Sequence, residues 1–232
     1  MRNGLSPRCL GGLLALTALP VVLTSAFLRV LASPPGDVAQ MLPRSPYRDF
    51  AVYAVANWIT FAVVVRVAGW RQLRAYGLRM RVTMWRCVST CAGFVIGVGI
   101  YVAVSSVLRQ WGLPPVRGME FESPTRTELA VMFFSVTVTA AFCEEIFFRV
   151  LWVGALRTHV RTSLAGAMSI VAFATIHYPY FGAGGVLFIS VWALVPLALF
   201  VWWEDCTASV VMHMMNNTFA YLVVPMLFSA NR

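Results

Sequence analysis

The chain has 232 residues, 59% of them hydrophobic and 12% charged, with a mean hydropathy of +0.75, which excludes an ordinary soluble domain and points to an integral membrane protein. Its 18 basic residues are all arginine and set a net charge of +9. They sit in clusters between apolar runs, so they read as membrane topology and exclude a nucleic-acid-binding face. Cys9, Cys87, Cys91, Cys143 and Cys206 form no CxxC pair; they read as small buried hydrophobes rather than disulfides or metal ligands.

A short basic start, Met1 to Arg8, precedes an apolar run from Cys9 to Leu31 that is long enough to cross a bilayer of about 30 Å. Val30-Leu31-Ala32 resembles a signal-peptide cleavage site, but the run is longer than a signal core and Arg29 interrupts its end, so a retained helix is expected. Ser33 to Arg48, with four prolines, reads as a loop. Phe50 to Ala68 is a second span. Arg66, Arg71, Arg74, Arg79, Arg81 and Arg86 follow it, a density that argues for the cytoplasmic side.

Val88 to Leu108 predicts a third span and Trp111 to Arg126 a connector. Leu129 to Ala155 is a longer fourth span, ending in Arg157, His159 and Arg161. Leu164 to His177 predicts a fifth that stops at Tyr178-Pro179, because proline disfavours helical geometry in the residue before it. Gly182 to Gly185 reads as a flexible turn and Val186 to Trp203 as a sixth span. Glu204-Asp205 would cap a seventh, Cys206 to Phe228. A cytoplasmic amino terminus puts every arginine-rich loop on the cytoplasmic side. The expectation is an all-α polytopic membrane helix bundle of about seven, six to eight, transmembrane helices, forming a single membrane domain over residues 1–232.

The polar residues that break this pattern carry the chemistry. AAFCEEIFFR, residues 140–149, puts Glu144, Glu145 and Arg149 inside an apolar helix, where each ionised group costs at least a few kcal/mol and so usually marks function. Phe173 and His177 lie four apart at the end of the fifth span, and His213 and Asn217 four apart on the seventh, each pair on one helix face. At about 1.5 Å per residue, Glu144 lies roughly 15 Å from Gly154, His177 roughly 21 Å from Ser163 and His213 roughly 10 Å from Cys206. With helix tilts of about 20°, these depths are compatible with one shared buried site.

EExxxR at Glu144, Glu145 and Arg149, FxxxH at Phe173 and His177, and HxxxN at His213 and Asn217 resemble, in that order, the motifs of the CPBP family. That family comprises CAAX-processing Rce1-type proteases, bacterial Abi-domain proteins, and bacteriocin-processing or immunity proteins. The resemblance covers Glu128 to Phe228, which divides the chain into variable N-terminal helices over 1–126 and a core over 127–229. RAYGLRMR, after the second span, also looks like the family's connector. The resemblance implies an intramembrane endopeptidase acting on a membrane-associated protein or peptide precursor, with membrane lipid and that substrate as partners and no nucleic acid. The all-arginine composition and short chain look bacterial, which suggests the inner membrane and a substrate other than a prenylated protein.

Peptide hydrolysis needs an activated water, a donor for the oxyanion and a proton for the leaving amine. By similarity to the motifs, Glu144 would activate the water, His177 would orient it, and His213 and Asn217 would donate to the oxyanion. Glu145 would pair with Arg149 along the helix, with Phe173 as further structural support. No cofactor is required on this reading. The alternative is a zinc version in which Glu144, His177 and His213 are the ligands and water takes the open position. Two other classes compete. A transporter would relay ions through buried carboxylates and histidines, but it predicts inverted repeats. A catalytically silent immunity or scaffold protein would keep its function without Glu144.

Overall fold

A computed structural model describes residues 5–32, 46–113 and 125–224. Most of the expected 33–48 loop, most of the 111–126 connector and the end of the seventh span lie outside the described residues. Among the described residues ten helical elements follow one another: α1 (Pro7–Leu16), α2 (Leu19–Ala32), α3 (Pro46–Ala68), α4 (Trp70–Tyr76), α5 (Met84–Gln110), α6 (Arg126–Thr158), α7 (Thr162–Ile176), α8 (Tyr178–Trp192), α9 (Leu194–Trp203) and α10 (Thr207–Thr218). The chain is a polytopic, all-α membrane protein with a buried polar interior. Among the described residues five stretches are long and apolar enough to cross a membrane: Pro7–Ala26, Arg48–Ala68, Met84–Gln110, Arg126–Thr158 and Tyr178–Trp203. They correspond to the first, second, third, fourth and sixth expected spans. The fifth is the 15-residue α7, and the seventh is α10 with its continuation through Phe219–Val223.

α6 is the central element. Inside the protein, 61% of its apolar window is buried, against 22–44% for the other four long stretches. A capping box starts it: Thr125 Oγ1 accepts from the Glu128 backbone N–H at 3.3 Å and Glu128 returns a carboxylate to the Thr125 N–H at 2.8 Å. Two stretches are wound as π-helix, Phe133–Ala140 and Ile146–Ala155. They bracket the ordinary α-turn Ala141–Glu145 that carries both glutamates. Such segments are rare and collect at functional sites. The first packs on α3 and α10, the second on α7, α4 and α1.

The first expected span is two helices. Thr17 breaks it, its hydroxyl donating to Leu14 O at 2.6 Å while its oxygen accepts from Trp152 Nε1 at 3.1 Å, and α2 restarts with Pro20 in its first turn, where a missing N–H costs nothing. The expected stop before Tyr178-Pro179 is met, α7 ending at Ile176, and Pro179 at once sits in the first turn of α8, since proline fits the start of a helix as well as it ends one. The expected flexible turn at Gly182–Gly185 is helical. Gly182 alone leaves helical geometry, at φ 63° and ψ −165°, and kinks the helix.

The arginine-rich connector docks on the turn between α9 and α10. Gly77, in the left-handed region at φ 117°, ends α4, and its carbonyl accepts from the Cys206 N–H at 3.1 Å. Thr207 Oγ1 accepts from the Arg81 N–H at 2.7 Å and donates to Arg79 O at 3.2 Å. Arg86 Nη2 meets Asp205 Oδ2 at 2.6 Å, with its guanidinium stacked 4.6 Å over Trp203. Asp205 also accepts from the Thr207 N–H at 3.1 Å, while Glu204 lies at φ 53° and pairs with Arg157 at 3.4 Å. Small residues then bring α5 against α9 and α10. A Cβ on Gly97 would come within 2.9 Å of Met212, and one on Gly93 within 3.0 Å of Leu199.

Candidate active site

Glu144 and Glu145 are adjacent on α6, so they point about 100° apart, and the structure gives them different surroundings. Glu144 faces a cavity of about 200 Å³ that is also lined by Tyr53, His177, Tyr180, His213 and Asn217. Glu145 is fully buried, between His213 and Arg149. The cavity has room for several waters.

His213 joins the two carboxylates. Its Nδ1 lies 3.0 Å from Glu145 Oε1 and its Nε2 lies 3.8 Å from Glu144 Oε2. A carboxylate only accepts, so Nδ1 carries the proton and, in the neutral ring, Nε2 presents a lone pair toward Glu144. Glu145 Oε2 lies 3.2 Å from Arg149 Nε, an ion pair whose N–H does not run along a hydrogen-bond line. Arg149, fully buried, donates from Nη1 to Ser169 Oγ at 3.1 Å and from Nη2 to Ala193 O at 3.5 Å, and Ser169 donates to Phe148 O at 2.5 Å. Negative and positive charge are thereby matched inside the protein, as low dielectric demands.

His177 stands at the junction of α7 and α8 with Nδ1 2.7 Å from Phe173 O. The carbonyl can only accept, so Nδ1–H donates and Nε2 is left as an acceptor. Phe173 is the aromatic hub: its ring packs edge-on to His177 at 4.7 Å, to Phe148 at 5.1 Å and to His213 at 6.2 Å, with the Arg149 guanidinium 5.3 Å above it. Asn217 donates one amide N–H to Val136 O at 3.0 Å, which ties α10 to the first π-wound stretch. Its carbonyl and second N–H remain beside the cavity.

Glu144, His177, His213 and Asn217 thus line one cavity, whereas Glu145, Arg149 and Phe173 stand behind it. A second cavity, of about 160 Å³, shares His177, His213 and Asn217 and is otherwise walled, Asn216 apart, by apolar and aromatic groups including Tyr101, Phe188 and Trp192. Among the described residues no three His, Cys, Asp or Glu side chains lie close enough to hold one metal ion. Glu144, His177 and His213 are therefore not gathered as a three-donor set in this arrangement.

Three side chains that sequence reasoning passed over complete the surroundings. Tyr53, on α3, donates from its hydroxyl to Glu144 Oε1 at 2.8 Å. Ser169 relays Arg149 to the α6 backbone, and Trp192 packs against His213 with ring centroids 4.9 Å apart. Tyr53 sits 91 residues from its partner in a helix where one more aromatic residue carries no local signal. Ser169, on the helix of FATIH, reads as an ordinary small residue of a membrane helix.

Comparison with known proteins agrees with the motifs. Residues 126–219 match the Rce1-like family, described as type II CAAX prenyl endopeptidase Rce1-like. The match runs from the first residue of α6 to just past α10 and contains all of the motif residues. No curated protein and no solved structure matches the chain.

Proposed function

We propose, taking the Rce1-like character of residues 126–219 as premise, that the chain is an intramembrane endopeptidase in which Glu144 activates the water. The observation that carries this reading is the cavity in which the Glu144 carboxylate stands 3.8 Å from His213 Nε2, with His177 and Asn217 on the same wall. Glu144 is the carboxylate that faces the cavity, whereas Glu145 is closed off behind it. Glu144 takes a proton from a water held by the Nε2 lone pair of His177, and the hydroxide attacks the scissile carbonyl carbon. The Asn217 amide supplies an N–H to the oxygen that becomes negative. His213, whose Nδ1 is engaged by Glu145, turns its Nε2 to the same cavity and supplies a second donor there when that nitrogen carries a proton. Glu144 then returns its proton to the leaving amine, so base and acid are one group.

Glu145 acts through His213 by fixing its tautomer, and Arg149 offsets the Glu145 charge. We place the amino terminus in the cytoplasm and the protein in a bacterial inner membrane, on the arginine pattern of the connectors. The substrate is a membrane-associated protein or peptide. Lipid is the surrounding partner, and no cofactor enters the mechanism.

The test is purified full-length chain in lipid vesicles with a panel of fluorophore–quencher peptides, farnesylated and unmodified CAAX-type sequences included. Wild type should cleave at least one, and Glu144→Gln should cut the rate by at least about a thousandfold while keeping its elution profile and thermal transition. Equal cleavage by both proteins defeats the assignment. Repeating the assay after chelation, with metal content measured, separates the mechanisms: a rate that collapses with chelation and returns with zinc favours the metal version.

A further inference from the structure

The family match begins at residue 126, yet one of the groups in direct contact with Glu144 comes from the first half of the chain. Tyr53, on α3, lines the Glu144 cavity and places its hydroxyl 2.8 Å from Oε1. Among the described residues no other side chain hydrogen-bonds that oxygen. The other oxygen, Oε2, is the one that faces His213 Nε2 at 3.8 Å. The two oxygens of a single carboxylate therefore have different neighbours.

We propose that Tyr53 is a positioning residue of the peptidase, the phenol that anchors Oε1 of Glu144 so that Oε2 alone is presented to the water. This rests on the peptidase reading above. A carboxylate turns about its last side-chain bond over a broad, roughly two-fold torsional well, so one anchored oxygen is what distinguishes a set base from a loose one. Glu144 is 4% exposed, and a mobile cavity water would not fix the orientation of its carboxylate as a phenol held on a neighbouring helix does. A phenol suits the task better than a cation, because it fixes the oxygen without neutralising the charge that makes the group a base.

Tyr53 is itself held. Asn57, one turn on, donates to Tyr53 O at 2.9 Å, and the Tyr180 ring meets the Tyr53 ring edge-on at 6.3 Å. The α3–α6 contact that carries the phenol has a second, separate hydrogen bond, from Trp58 Nε1 to Thr139 Oγ1 at 3.1 Å. Trp58 does not line the cavity. It offers a control that loosens the same helix pair without touching Glu144.

The experiment compares wild type, Tyr53→Phe, Trp58→Phe and Glu144→Gln in vesicles, on whichever panel peptide the wild type cleaves. Tyr53→Phe should lower kcat by about ten- to a hundredfold, the effect of losing one hydrogen bond to a charged group, with KM within about twofold and an unchanged thermal transition. Trp58→Phe should leave kcat within about twofold of wild type. A Tyr53→Phe enzyme with wild-type kcat, beside an inactive Glu144→Gln, overturns the Tyr53 role and leaves the peptidase reading standing. An equal loss of kcat in Tyr53→Phe and Trp58→Phe also overturns it, assigning the effect to helix docking. Cleavage that does not depend on Glu144 removes both proposals together.

Discussion

His213 Nδ1 lies 3.0 Å from Glu145 Oε1, and through that contact the candidate site is continuous with the fully buried Glu145–Arg149 ion pair. The chain of contacts runs from the cavity-facing Glu144 to His213, on to Glu145 and Arg149, and ends through Ser169 at the Phe148 carbonyl. Every link after His213 is removed from water. Such a network holds its members in one geometry when fully matched, and each member becomes costly when its partner is taken away.

That asymmetry gives the first prediction. Glu145→Gln leaves the Arg149 guanidinium buried without its charge partner, and removing one side of a buried pair costs about 3–5 kcal/mol. Arg149→Met does the reverse to Glu145. The double variant Glu145→Gln/Arg149→Met should be more stable than either single variant, because it leaves neither charge of the pair buried without its partner. Thermal unfolding in detergent measures all three, and a double variant whose loss is the sum of the singles contradicts the pairing.

A second prediction concerns the contact between α4 and α6. A Cβ added at Gly154 would stand 2.0 Å from the Tyr76 carbonyl oxygen, which is backbone and cannot swing aside. Gly154→Ala gains about 1 kcal/mol in helix propensity, but it must separate the two elements, and overpacking of this kind costs about 1–3 kcal/mol and sometimes more. The variant should have a lower thermal transition than wild type, whereas Gly99→Ala, with nothing within 4 Å of its Cβ, should not. An unchanged or higher transition for Gly154→Ala means that α4 does not sit against α6 this closely.

The membrane bundle was legible from composition, since nothing but lipid or a membrane interior accommodates a mean hydropathy of +0.75. The Glu145–Arg149 ion pair follows from helical spacing alone, four residues on one face. Spacing does not reach across helices, however. That His213 bonds Glu145 at its Nδ1 and faces Glu144 at its Nε2 depends on how α10 is rotated against α6, and rotation is set by packing. The breaks at Thr17 and Gly182, the π-wound stretches around Glu144 and the shortness of α7 are likewise tertiary outcomes. Tyr53 was invisible for the same reason, because a phenol in an apolar helix acquires meaning only from the carboxylate opposite it.

Arg86 anchors the polar end of the bundle and yields a third prediction. Its 2.6 Å contact with Asp205 is largely shielded, with the side chains 11% and 3% exposed, and its guanidinium also covers the Trp203 ring. Arg86→Ala should destabilise by about 1–3 kcal/mol, through loss of a charge-assisted hydrogen bond and of the stacking contact. Arg86→Lys should recover only part of this, since an ammonium lacks the planar fork. The loss should persist at about 0.5 M salt, where an exposed pair would already be screened. If high salt erases the difference between wild type and Arg86→Ala, the pair is a solvated one.

Cys206, at the turn before α10, supplies a pH-dependent prediction. Burial pushes its thiol up to about 12 from an ordinary value near 9, and the Asp205 charge adds to the rise; the thiol also donates to the Arg79 carbonyl at 3.6 Å, a bond that only the protonated form makes. Only the thiolate reacts with alkylating agents, so at pH 8 the folded protein should leave the buried Cys206 unmodified by iodoacetamide. Denaturation in detergent should make Cys206 reactive, read by mass spectrometry of the peptide that contains it. The sign for stability follows from proton counts. Above about pH 9 the unfolded chain releases this proton and the folded chain retains it, so the unfolded state binds fewer protons and stability falls as pH rises from about 9 toward 12. Cys206→Ser still has a hydroxyl to donate to the Arg79 carbonyl and does not titrate in that window. Its thermal transition should decline less than that of wild type between about pH 8.5 and 10.5, and an equal decline would show that the Cys206 thiol is not the group responsible.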